Sequence, residues 1–364
     1  MTANLSSPVR PTVEPADLSF ESTVPRAIVH RHAVSEVFLT DSARLSDTEF
    51  LVAAHLPTTH GFFGDQLRSG RADPLYFVEV SRQACVLLAH RYFDVPRGFG
   101  FVFRGSTMSV LDAGALRLGA EPARVVLTVS VPDVQYRNGT AYLMELSIVA
   151  SVDGRRAIRF GGVQLMLPRE TFAQLRATGM AQLATDAGGQ DGPPLVSRDP
   201  ETLTPLRPTR PLAALEKSPS TSSTSGFPPP CQEPRGSTAD AKEQDHATLE
   251  PAAIGRTDPR NVVLSPAGDD HELIVDRTHP VFFDHPQDHA PGLLLVEAFQ
   301  QAAFAALYRP DAAPPALESL DLTFDRFVEL DVPVRVRSRV DGPVVTVELV
   351  QGGQTAARAT VRVR

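Results

Sequence analysis

The sequence predicts an α+β chain made of two copies of one unit, each a long central helix wrapped by a curved antiparallel sheet. Three observations carry that expectation. Two segments have apolar residues at helical spacing, short β-branched and aromatic runs flank each of them, and the two blocks repeat one another at their helix entrances.

In the first block, VSEVFLT, FLVAAHL, FVFRGSTMSVL, RVVLTVSV, AYLMELSIVASV and AIRFGGVQLML read as antiparallel strands, with Asn138-Gly139 and Asp153-Gly154 as hairpin turns. Between the second and third lies DPLYFVEVSRQACVLLAHRYF. There Asp73 makes an N-cap, Pro74 takes the first helical position, and Pro96-Arg97-Gly98 stops the helix. The second block repeats this plan with NVVLSP, HELIVD, a helix from Pro291 to Tyr308, then SLDLTFDRFV, VPVRVRSRV, VVTVELVQ and TAARATVRV. The helix PGLLLVEAFQQAAFAALY is apolar almost all round, as suits a helix enclosed by a sheet. A single buried helix wrapped by antiparallel strands is the hot-dog arrangement, so the chain reads as a double hot-dog.

At 364 residues there is room for two such domains and connecting sequence. Residues 1–22 lack periodicity and read as a flexible lead-in, 23–176 as the first domain and 256–364 as the second. Between them, 177–255 turns to Pro, Ser, Thr and Gly, a composition that buries too little apolar surface to offset ordering entropy, and reads as a disordered linker. A net charge of −8 without a sustained Lys/Arg run argues against nucleic acid or an anionic membrane as partner. Cys85 and Cys231 are the only cysteines, which excludes a disulfide framework or a zinc cluster, and no motif calls for a metal or nucleotide cofactor. The polar N-terminus has no signal-peptide core, and no apolar run approaches the ~18 residues of a membrane span; a cytoplasmic protein is the expectation.

HGFFGDQ superimposes on HPVFFDH with His60 and Asp65 falling 219 residues before His279 and Asp284 (60 to 279, 65 to 284). One deletion later FVEVSRQA superimposes on LVEAFQQA, which pairs Glu79 with Glu297 and Gln83 with Gln301. Each glutamate lies within an apolar helix, where an ionised carboxylate costs several kcal/mol unless something compensates it. Pairing of Glu79 with Arg82 one turn on would solve a packing problem without any chemistry, but Glu297 has Gln300 at the matching position. His279, His285 and His289 cluster just before the second helix. There a histidine can cap a turn, or act as base or donor beside free backbone N–H groups that polarise a carbonyl. Gly292 lets a ligand approach that backbone closely.

These residues resemble the AfsA-type family of A-factor biosynthesis. Its second repeat reads close to HPFFFDHPxDHVPGMxLLEAxRQA, against HPVFFDHPQDHAPGLLLVEAFQQA here; VHR at Val29 to Arg31, EVFLTD, HGFFGDQ, DPLYFVEVSRQA and LLAH resemble the first. The resemblance covers both domains and not the linker. It implies an acyltransferase that moves a β-ketoacyl group from an acyl carrier protein to dihydroxyacetone phosphate, giving the precursor of a γ-butyrolactone signal. More distantly the arrangement is similar to hot-dog dehydratases, in which His and an acid face each other across a dimer; here two repeats would supply the pseudo-dimer, as a monomer or within a homodimer. Glu79, Glu297 and His285 are then the expected catalytic residues, and Arg82, Gly292, His60, His279 and His289 the expected substrate-binding ones. Two departures from the family pattern, Gln66 and Gln300, remove basic groups from one site, so the equipped site combines His285 with Glu79 and Arg82, and the other keeps Glu297 without basic partners. A dehydratase or thioesterase on acyl carrier protein, or a non-catalytic acyl-binding protein, are the alternatives.

Overall fold

The computed structural model describes residues 14–65, 70–187, 248–312 and 315–364. The first unit runs β1 (Leu39–Arg44), β2 (Glu49–Leu56), α1 (Pro74–Tyr92), β3 (Gly100–Val110), β4 (Ala123–Arg137), β5 (Thr140–Val152), β6 (Arg155–Leu167), followed by α2 (Arg169–Ala187). The second runs β7 (Leu264–Ala267), β8 (Asp270–Leu273), α3 (Gly292–Leu307), β9 (Leu317–Phe324), β10 (Val334–Asp341), β11 (Val344–Gln351) and β12 (Gln354–Val363).

All these strands join one sheet in the order β1-β2-β4-β5-β6-β3-β9-β12-β11-β10-β8-β7. Each half therefore has the same connectivity, and the halves meet where β3 pairs antiparallel with β9, from Gly105 opposite Thr323 to Ser109 opposite Ser319. The hairpin turns form as their residues dictate: Asn138 (φ 51°) with Gly139 (φ 79°), and Asp153 (φ 47°) with Gly154 (φ 80°), take the left-handed conformations of a two-residue type I′ turn.

Both helices lie inside the curved sheet. Leu75, Phe77, Val80, Leu87 and Leu88 of α1, and Leu294, Phe299, Ala302 and Phe304 of α3, are buried in one core that spans both halves. Phe62 and Phe282, from the matching entrance turns, pack edge to face with centroids 4.9 Å apart and tie the halves together.

The boundaries expected from composition move. Residues 1–13 lie outside the described residues, but Pro15–Asp17 already forms a 3-10 turn, Leu18 is buried, and the Thr40 hydroxyl donates to the Ser19 carbonyl, so residues 14–22 belong to the first unit rather than to a flexible lead-in. At the far end α2 continues to Ala187, eleven residues into the span read as linker (177 to 187). It lacks a continuous apolar stripe, so it meets the body through separate contacts that include Phe172 against Phe327 and Arg176 on Asp288 and Glu329. Pro251–Ile254 forms a 3-10 turn with Ile254 buried, so order resumes before 256. The centre of that span lies outside the described residues.

Candidate active site

Each half builds the same polar frame around its helix glutamate, and the frame begins with a residue that periodicity does not reveal. In the first half Arg31 reaches Glu79 (Nη2 to Oε1 2.6 Å), Arg82 adds a fork (Nε to Oε2 2.8 Å, Nη2 to Oε1 2.9 Å), and Gln83 donates to Oε1 at 2.7 Å. The Gln83 amide also donates to the Glu36 carbonyl and accepts from Phe38 N–H. The second half matches this part by part. Arg256 donates to both Glu297 oxygens (2.8 and 2.5 Å), Gln301 donates to Oε1 at 2.6 Å and to the Asn261 carbonyl, and Val263 N–H donates to Gln301.

The two frames interlock. Arg31 donates to the Val281 carbonyl and Arg256 to the Phe62 carbonyl, so each arginine holds the entrance turn of the other half. In return Asp284 accepts from His32 and Ala33 N–H (2.7 Å each), and Asp65 accepts from Thr257 and Asp258 N–H. His60 and His279, expected to bind substrate, instead stitch these turns. Their Nδ1 atoms accept from Phe62 and Phe63 N–H and from Val281 and Phe282 N–H, and their Nε2 atoms meet Glu36 and Asn261. The expectation that Glu297 lacks basic partners is likewise corrected: Arg256, at the edge of the low-complexity span, supplies one.

Where the halves differ, a cavity of about 560 Å³ opens beside α1. Val78, Glu79, Arg82 and Val86 line it from α1, Phe101 and Phe103 from β3, Phe172 and Leu175 from α2, and His285, Gln287, His289, Pro291 and Gly292 from the loop and start of α3. His285, Glu79, Arg82, Gly292 and His289 thus come together as the sequence implied, whereas Glu297, His60 and His279 do not reach this cavity.

Within it, His285 is the group poised for proton transfer. Its Nδ1 is 3.2 Å from Asp284 Oδ2, a carboxylate already fixed by two backbone N–H groups, so Nδ1 donates and Nε2 carries the lone pair. The Gln287 amide lies 2.6 Å from that Nε2 and donates to it. Burial pulls the His285 pKa below its usual value, Asp284 pulls it back up, and the charges of His32 and Arg31 lower it further. The imidazole is therefore neutral at physiological pH, the form a base needs.

Glu79 is not so placed. Burial pushes its carboxyl up, but Arg31 and Arg82 outweigh this and hold it at about 2. Four donors occupy its oxygens, which leaves it an anchor for Arg82 rather than a base. His289 is turned to Asp288 (Nδ1 to Oδ1 2.7 Å), which also receives Arg176 from α2.

The start of α3 is open: Pro291 offers no side-chain cap to the first-turn N–H groups, and a side chain at Gly292 would project into free space. The start of α1 is closed. Asp73 accepts from Leu75 N–H at 2.9 Å, is fully buried, and pairs with Arg256 (3.0 Å), with Gln300 beside it. Gln66 lies outside the described residues. Among the described residues no cluster of three His, Cys, Asp or Glu side chains could hold a metal ion.

The sequence reading missed Arg31, Arg256, Asp284 and Asp73 as site residues. One signal was available: Arg31 and Arg256 each stand eight residues before a matching leucine (31 to 39, 256 to 264).

The family model described as the A-factor biosynthesis hotdog domain, AfsA, matches residues 13–166 and 237–364. A 2-oxo-3-(phosphooxy)propyl 3-oxoalkanoate synthase of Streptomyces virginiae is 31% identical over 319 residues, covering 87% of this chain and 87% of its own. A synthase of the same name from Streptomyces coelicolor is 29% identical over 347 residues, covering 93% and 86%. Among solved structures, an acyl-ACP thioesterase from Bacteroides thetaiotaomicron aligns with 87% of this chain and 98% of its own at 10% identity and a TM-score of 0.43.

Proposed function

Because the chain belongs to the AfsA family of A-factor biosynthesis hotdog domains, we propose that it is the acyltransferase that joins a β-ketoacyl thioester, carried on an acyl carrier protein, to dihydroxyacetone phosphate. The product is the 2-oxo-3-(phosphooxy)propyl 3-oxoalkanoate ester named in its relatives, precursor of a butenolide or butyrolactone signal.

The observation that carries the reading is the pairing, in one cavity, of a neutral His285 oriented by Asp284 with an uncapped helix start at Gly292. The triose hydroxyl displaces the Gln287 amide from His285 Nε2 and gives that atom its proton as its oxygen attacks the thioester carbonyl. Negative charge then gathers on the carbonyl oxygen, where first-turn N–H groups of α3 stabilise it. The C–S bond breaks, and the His285 imidazolium returns the proton to the leaving thiolate. Arg82, anchored by Glu79 and lining the cavity, supplies the positive charge for the phosphate or the 3-oxo group. The apolar wall of Val78, Val86, Phe101 and Phe103 takes the acyl chain. No described helix is long and apolar enough to cross a membrane, and the reaction belongs in the cytoplasm with its carrier-bound substrate.

Incubating the protein with a 3-oxoacyl carrier protein and dihydroxyacetone phosphate tests this by mass spectrometry. The phosphorylated ester is the expected product. Free acid would replace the reading with a thioesterase, a dehydrated acyl chain with a dehydratase, and binding without turnover with an acyl-binding protein.

A further inference from the structure

The turn that delivers Arg31 to one frame is the turn that delivers Arg256 to the other. Just before each arginine the backbone is left-handed, at Gly255 (φ 74°) in the second half and at His30 (φ 53°) in the first. Glycine enters that region freely, whereas a residue with a side chain is held there against its preference. The fold thus asks for the turn and not for a histidine, yet a histidine occupies the copy that borders the cavity.

Its ring is fixed on two sides. It stands edge-on to Phe101 with centroids 5.0 Å apart, and its Nε2 is 2.9 Å from His90 Nε2. His90 Nδ1 lies 2.7 Å from the Val95 carbonyl, which can only accept; His90 must donate from Nδ1 and keep its lone pair on Nε2. His30 therefore donates from Nε2, and its Nδ1 remains an acceptor with no bonded group among the described residues. Phe101 packs against the ring, and Arg82 and His285 act on it electrostatically without donating a hydrogen bond to this nitrogen, so Nδ1 is a lone acceptor at the cavity wall. Burial, helped by His90, Arg82 and His285, depresses the His30 pKa to about 3, and the ring stays neutral.

We propose that His30 is a specificity-determining residue whose Nδ1 accepts a hydrogen bond from an O–H or N–H group of the bound acyl thioester. The proposal rests on the acyl-thioester reading of the cavity. Two parts of such a substrate could bring the donor: a hydroxyl on the chain beyond the 3-oxo group, or an amide of the pantetheine arm. A substrate that strips water from Nδ1 without replacing its hydrogen bond leaves the acceptor unsatisfied, and should bind about ten-fold more weakly.

Calorimetric Kd values for the full chain, measured without dihydroxyacetone phosphate, test this with two substrate pairs. One pair is a 3-oxoacyl pantetheine with and without a hydroxyl on its chain; the other carries the same acyl group on pantetheine and on ethanethiol. The wild type should prefer the donor-bearing member of one pair about ten-fold, the first assigning the hydroxyl and the second the amide. His30→Gly, which this turn accommodates as at Gly255, should keep the thermal midpoint and erase the preference. His90→Phe, which preserves the ring contact but frees the His30 tautomer, should shrink it. No preference in the wild type, or one unchanged in His30→Gly, overturns the proposal. Since binding is read without turnover, failure to form ester would count against the acyltransferase reading alone.

Discussion

The two central helices start in the same place in two copies of one fold, and their first turns have opposite fates. At α3 the first N–H groups face a cavity past Gly292. At α1 the N-cap that matches Pro291 is Asp73, whose carboxylate caps Leu75 and closes on Arg256. The polar frames match bond by bond, so the frame is a structural device and the site is what an open helix start leaves in front of it. The open site joins the start of α3 to the first half's frame, whose glutamate holds a second arginine, Arg82, at the cavity. The closed site joins the start of α1 to the second half's frame, where Gln300 stands in place of Arg82 and Asp73 pairs with Arg256. On the proposed function, duplication lets one of two pseudo-equivalent sites carry the chemistry while the other is a brace.

The sharpest test of that division is His285→Ala. If the open site carries the reaction, ester formation should fall about 10²- to 10⁴-fold, with little change in thermal midpoint because His285 is partly exposed. The wild-type rate should fall on acidification only below pH 6.5, since the His285 pKa lies under its usual value and protonation removes the base. An acidic limb centred above 6.5, or a variant with near wild-type turnover, would move catalysis elsewhere.

A second test exchanges the readouts. Arg256→Met leaves Glu297 and Asp73 buried without their common cation, and should lower unfolding free energy by about 3–5 kcal/mol in urea titrations. Glu297→Gln should act in the same direction and leave residual turnover per folded molecule intact. Glu79→Gln should instead reduce turnover, because Arg82 loses the fork that aims it. Equal loss of ester formation in the two glutamine variants would erase the distinction between open site and brace.

How much of this was legible depends on the range of the interaction. Strands, the two helices and the repeat are local patterns, and a hydrophilic residue at the same step of two apolar helices marked Glu79 and Glu297 from sequence. The meeting of His285 with Glu79 and Arg82 followed from the pseudo-symmetry. Arg31 and Arg256 escaped because they sit after irregular turns, 48 and 41 residues from their glutamates, where no periodicity points. His60 and His279 looked like ligands because a repeated histidine marks chemistry and turn-capping alike; only the positions of Phe62 and Val281 N–H distinguish the two. The helix α2 has no apolar face for a periodic pattern to reveal.

The smallest effect bears on the brace alone. Burial pushes the Asp73 carboxyl up, to about 6, although Arg256 pulls the other way, and the Glu297 charge adds to the rise. A carboxyl whose pKa is higher folded than unfolded holds its proton more tightly in the native state. As pH rises from 3.8 to about 6 the unfolded chain loses that proton first, and this group's contribution to stability falls across the window. Asp73→Asn keeps a capping acceptor for Leu75 N–H and removes the titration, leaving Arg256 paired one to one with Glu297. The variant should therefore gain on the wild type as pH is raised from 4 to 7, by about 2–3 kcal/mol of unfolding free energy in urea titrations. Were the wild type to gain on the variant over the same range, Asp73 would be an ion-pair partner held low by Arg256, and the closed site would be stabilised by its third charge rather than tolerating it.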